Sequence, residues 1–112
     1  MTTNTNTFEA YENALKCVRI LRGVLPTMAR ADGGLAKQLR RAASSIVLNV
    51  AEARGRKGRD RAHLFAVALG SAREALAALD VAEAWGDLRA EQAANARTVL
   101  DRQCGLLYRL SR

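Results

Sequence analysis

Aromatic residues are scarce in this chain, and tryptophan, tyrosine and phenylalanine together make up only 4% of its 112 residues. A core with so few rings has to be built mainly from alanine, leucine and valine, which bury less area per side chain. Proline is scarcer still: Pro26 stands alone, and no stretch alternates apolar and polar residues between turn signals as strands do. Two cysteines, Cys17 and Cys104, lie far apart without a CxxC pair, which argues for free thiols in a core rather than a disulfide framework. His63 is the only histidine, so no metal-ligand set is spelled out and no cofactor is expected. No apolar run approaches the roughly 20 residues needed to cross a bilayer. The opening MTTNTNT is polar rather than a secretory leader, so a cytoplasmic protein is expected.

Alanine, leucine, arginine and glutamate fill the space these absences leave, and they favour helix. The length suits one compact domain spanning residues 1–112. Tyr11, Ala14, Val18, Leu21 and Leu25 recur at steps of three and four, and Asn6 followed by Glu9 fits a capping box, giving a first helix over about 7–25. Pro26 is expected to begin the exit and Asp32-Gly33-Gly34 to complete it. Leu35, Leu39, Ala42, Ile46, Val50 and Ala53 mark a second helix over about 34–54, stopped at Gly55. Phe65, Leu69, Ala72, Leu76 and Leu79 mark a third over about 60–85, capped by Asp60 and closed at Trp85-Gly86. Ala93, Ala96, Leu100, Leu107 and Leu110 mark a fourth over about 88–110, capped by Asp87, with Gln103 as a polar interruption. Short connections make sequential helices antiparallel, so the fold class is all-α: an antiparallel up-down-up-down four-helix bundle. Val47, Leu48, Leu64 and Val67 fall outside the main stripes, and apolar faces that one bundle cannot cover point to self-association.

The formal net charge is +7, and it is unevenly distributed. Residues 32–62 carry eight Lys/Arg against three Asp/Glu, whereas residues 63–86 carry one against three. Arg54, Arg56, Lys57, Arg59 and Arg61 crowd one turn, with Arg40 and Arg41 further back on the second helix. Cations packed so closely repel one another unless a polyanion neutralises them, and a phosphate backbone does so with release of counterions. Few aromatics neighbour the cluster in sequence, so stacking on bases looks poor and binding by shape and charge, to structured RNA or DNA, is the expected mode.

Ser45, Asn49 and Glu52 share one face of the second helix, and Ser71 and Glu74 stand three apart on the third. Antiparallel pairing about Gly55–Gly58 separates Glu52 from Glu74 along the axis, which disfavours a paired-carboxylate acid/base site. The serines have no neighbouring base, and Gly55-Arg56-Lys57-Gly58 lacks the spacing of a phosphate-gripping loop. These five polar residues read as structural or interface positions, with Glu52 reaching Arg56, and with Asn49 and Glu52 together locking the second helix against its neighbours. No catalytic set can be assembled, and a non-enzymatic protein is expected.

The runs LRRAASSIVLNVAEARGR and FAVALGSAREALAALDVAEAWG resemble the four-helix-bundle family of proteins encoded by intervening sequences in bacterial large-subunit (23S) rRNA genes. The shared pieces are Arg40-Arg41-Ala42, Ser45-Ile46, Asn49-Val50-Ala51-Glu52, Gly55-Arg56, and Gly70-Ser71 with Glu74, all within residues 35–86. Ala53 stands where that family usually has glycine, and Lys57-Gly58-Arg59-Asp60 replaces the polar turn commoner in it. The resemblance implies a homopentameric ring of bundles with no enzymatic activity. A related branch resembles accessory proteins of diversity-generating retroelements, which implies a reverse transcriptase and its nucleic acid as partners. A purely structural homo-oligomer, with its cations neutralised by neighbouring copies, is the alternative.

Overall fold

The computed structural model describes residues 6–112, which form four helices: α1 (Thr7–Ala31), α2 (Gly33–Arg54), α3 (Gly58–Trp85) and α4 (Ala90–Leu110). Among the described residues there is no strand. Asp32 alone joins α1 to α2, residues 55–57 join α2 to α3, and residues 86–89 join α3 to α4. Connections this short fold each helix back beside its predecessor, and α1 also packs on α4, closing a four-sided bundle. The result is a rod of 46 × 22 × 19 Å. One pole gathers the start of α1, the end of α2, the start of α3 and the end of α4.

Helix α1 does not stop near Pro26. It continues to Ala31, because the apolar stripe continues through the buried Val24 and Met28. Pro26 removes only one backbone donor, and it lies with Arg22 on the solvent side, where water can serve the freed carbonyl. Asn6 caps α1 by accepting the Phe8 N–H at 2.8 Å, while Glu9, expected to complete a capping box, pairs with Arg102 of α4. Asp32 ends one helix and starts the next. Its N–H reaches the Met28 carbonyl at 2.8 Å, and its carboxylate accepts the Leu35 N–H at 3.0 Å.

The starts of α3 and α4 also differ from those the sequence suggests, while α2, α3 and α4 end where it places their ends. Helix α3 begins at Gly58, whose φ of +60° turns the chain, so Asp60 sits inside the first turn rather than at the cap. Asp87 does not cap α4. Burial of Leu88 against the core carries the chain onward, Arg89 becomes the cap, and its N–H donates to Gln92 Oε1 at 2.8 Å. Gly86, at φ +81°, closes α3 with the paired bonds Gly86 N to Glu83 O at 3.0 Å and Asp87 N to Ala82 O at 2.9 Å.

The core is small-residue packing around a few larger side chains: Phe65, Leu21, Met28, Leu39, Ile46, Leu79, Leu100 and Leu107 are fully buried. Ala68, Ala72, Ala75, Ala78 and Ala82 form the inner face of α3. Between α1 and α4 a polar pair is buried. Asn13 Nδ2 donates to Gln103 Oε1 at 2.7 Å and to the Val99 carbonyl at 3.2 Å, while Gln103 Nε2 donates to the Ala10 carbonyl at 3.0 Å. Arg102 completes the set by donating to Asn13 Oδ1 at 3.1 Å. On α3 and α4, Arg97 bridges Asp80 and Glu83.

Four apolar side chains outside the stripes behave in two ways. Val47 and Leu64 pack partly against the core. Leu48 is 68% exposed and Val67 39%, and Val81 and Trp85 continue an uncovered apolar edge along α3.

Candidate nucleic-acid interface

The basic turn lies at the pole just defined, and its five cations have different surroundings. Arg56 is held between two carboxylates, Asp60 at 2.6 Å and Glu52 at 2.7 Å, each one helical turn away. The hydrogen bond to Asp60 is the main cause of its raised pKa, so it stays charged with that charge locally balanced. Arg54 lies over two rings of α1, with its guanidinium 5.5 Å from the Phe8 centroid and 5.6 Å from that of Tyr11. Arg61 lies 5.7 Å from the ring of Phe65 and is half-buried. A ring face orients a guanidinium but leaves its charge in place. Lys57 and Arg59 are exposed and form no ion pair among the described residues.

Aromatic rings are few beside this cluster in sequence, but the fold brings two of them to it. Phe8 and Tyr11 are more than forty positions from Arg54 in sequence, yet the antiparallel α1–α2 pairing brings them against it. At the same pole the end of α4 contributes Arg109, and Arg112 lies 5.2 Å from the ring of Tyr108. Sequence reading missed these rings because it searched for neighbours along the chain, and the contact depends on helix pairing.

Arg40 and Arg41 belong elsewhere. They stand about 20 Å back along α2 at 1.5 Å per residue, exposed beside a shallow groove that also takes in Ser44, Ser45, Leu48 and Asn49. The seven candidate cations therefore form two groups. On the adjoining α2–α3 face, Asn49 Nδ2 donates to the Ser45 carbonyl at 2.9 Å and to Ser45 Oγ at 3.0 Å. Ser71 Oγ donates to Ser45 Oγ at 2.9 Å, so these three residues tie α2 to α3. Glu52 does not join them. It is exposed and turned toward Arg56, so it does not brace α2 against another helix. Glu74 is exposed on the rim of a groove of about 370 Å³ lined by Gln38, Arg41, Ala42, Ser45 and Ser71.

Among the described residues no group of three or more His, Cys, Asp or Glu side chains is placed to hold a metal ion. Both cysteines are free, and burial raises both thiol pKa values, that of Cys17 to about 12. Among the described residues no helix is long and apolar enough to cross a membrane.

Four helices around an alanine-lined core, with one cationic pole, define the class as a basic four-helix bundle. The chain belongs to the family described as 23S rRNA-intervening sequence protein, whose model matches residues 6–109. A crystal structure from Bacteroides thetaiotaomicron VPI-5482, described as a protein with unknown function from the S23 ribosomal protein family, is similar to it. That structure is 20% identical, covers 92% of this chain and 98% of its own, and superposes with a TM-score of 0.80. At this identity the likeness speaks for the fold alone. No curated protein matches the chain.

Proposed function

We propose that this protein is a non-enzymatic scaffold that self-associates and grips the phosphate backbone of nucleic acid, chiefly RNA, with its basic pole. One observation carries the reading: Lys57 and Arg59 project unpaired beside Arg54 and Arg61, so four charges lie around a turn whose carboxylates are committed to Arg56. Phosphates on a nucleic-acid backbone match such a cluster, and binding gains the entropy of released counterions. The family resemblance extends the proposal to a homopentameric ring and to service as accessory subunit of a diversity-generating reverse transcriptase. No described contact is specific to such an enzyme, so RNA carries the test.

Anisotropy titration of a labelled RNA over a salt series is the direct measurement. Three to four engaged phosphates give a slope of log K against log salt of roughly −3. Replacing Lys57 and Arg59 with Gln lowers that slope by about 2. Salt-insensitive binding, or an unchanged slope in the double variant, rejects the proposal. The uncovered Leu48 and Val67 favour a second reading, a homo-oligomer with a structural role alone, which predicts assembly without RNA affinity.

A further inference from the structure

We infer that the basic pole takes unpaired nucleotides, with a base stacked on the exposed ring of Phe8 while Arg54, Lys57 and Arg59 hold the neighbouring phosphates. The inference rests on the nucleic-acid reading above and names the class of RNA within it: single-stranded ends, loops and bulges rather than continuous duplex.

Phe8 is the deciding residue. It lies in the first turn of α1 and is 53% exposed, although the bundle has few aromatic residues with which to build its core. An exposed ring of this kind gives the core little. Its surroundings are cationic: the Arg54 guanidinium lies 5.5 Å from its centroid and 5.6 Å from that of Tyr11, one turn further along α1. The three groups place an apolar planar face next to a fixed positive charge, which is what a base and its phosphate present in complementary form.

The other rings are less suited or lie elsewhere. Phe65, under Arg61, is fully buried and offers no face to a base. Trp85 is the most exposed ring at 74%, but it closes α3 at the opposite pole. Tyr108 shares the pole and pairs with Arg112, so it can extend the platform to a second base. Bases in a duplex are paired and stacked already, and the A-form major groove is too deep and narrow for these short side chains to read. The interior of a duplex leaves no base face free for Phe8, whereas an unpaired base in a loop, bulge or single strand can unstack and lie on it.

The test uses the full chain and two labelled probes, a twelve-residue oligouridine and a blunt RNA duplex of twelve base pairs, titrated by anisotropy at several salt concentrations. Phe8→Ala is expected to weaken oligouridine binding about tenfold and duplex binding less than twofold, with the oligouridine salt slope unchanged because no charge is lost. Phe8→Trp is expected to restore oligouridine affinity, and Trp85→Ala to leave both probes as they were. Because Phe8 is exposed, the circular dichroism of the variants should match the parent. Equal loss on both probes assigns Phe8 the lesser role of propping Arg54 and overturns the stacking inference. So does an unchanged oligouridine affinity, while salt-dependent duplex binding keeps the parent proposal standing. If neither probe binds in a salt-dependent way, the parent proposal falls as well.

Discussion

A guanidinium lying between carboxylates at 2.6 and 2.7 Å projects little net field, and this is the situation of Arg56 between Asp60 and Glu52. Lys57, its neighbour in sequence, has no such partner. Counting charges along the turn treats the two alike, whereas geometry gives only one of them to a ligand. A second contrast at this scale involves the thiols. Burial, with a smaller contribution from Cys104, holds the Cys17 thiol neutral until about pH 12, against an ordinary value of 9.0. The folded-state value lies above the unfolded one, so the stability Cys17 contributes is complete below pH 9 and is lost as pH rises from 9 toward 12. One such group steepens the alkaline decline by up to about 1.4 kcal/mol per pH unit. Denaturant melts from pH 8 to 11 should show Cys17→Ala declining less steeply than the parent. Parallel declines would assign the alkaline loss to other groups.

At the scale of elements, each helix follows from a periodic stripe and the buried partner it requires. The number and order of the four helices were legible because burial on one face is a local signal that a window of residues carries. Boundaries were less legible. Pro26 reads as a stop, yet one lost hydrogen bond on the wet side of α1 is outweighed by burying Met28 below it. Asp87 reads as a cap, but Leu88 buries first and displaces the helix start. The Asn13–Gln103 pair was half legible: Gln103 interrupts its stripe, whereas its partner is 90 positions away. The candidate site shows the same division, since the cations of the turn were evident and the rings under Arg54 were not. The buried amide pair fixes the α1–α4 register, and Asn13→Leu should cost about 1–3 kcal/mol by leaving Gln103 Oε1 without its donor. Gln103→Leu should cost a similar amount, and the double variant clearly less than the sum. Urea melts of the three variants measure this, and strict additivity would show that the two amides act independently.

At the scale of the whole molecule, the rod has one strongly cationic pole and one apolar flank, and the two features support each other. Leu48 on α2 and the Val67–Val81 edge on α3 stay in water in a single copy, whereas the other leucine, isoleucine and valine side chains here are buried or partly buried. Covering them with further copies gains about 25 cal/mol for each Å² of apolar surface removed from water. Copies related by rotation about an axis along the rod would bring like poles together, so that Lys57 and Arg59 would recur around a shared rim. A phosphate backbone that meets several such turns at once gains avidity that one turn cannot supply. The expected result is a parent protein that is multimeric by light scattering at micromolar concentration. Leu48→Glu combined with Val67→Glu should then give the mass of one chain with helicity intact, since neither residue belongs to the core. RNA affinity of that variant should fall by roughly 10²-fold or more, because each monomer keeps its turn but loses its neighbours. A monomeric parent would remove the ring from the proposal. A monomeric variant that bound RNA as tightly as the parent would show that a single pole is sufficient.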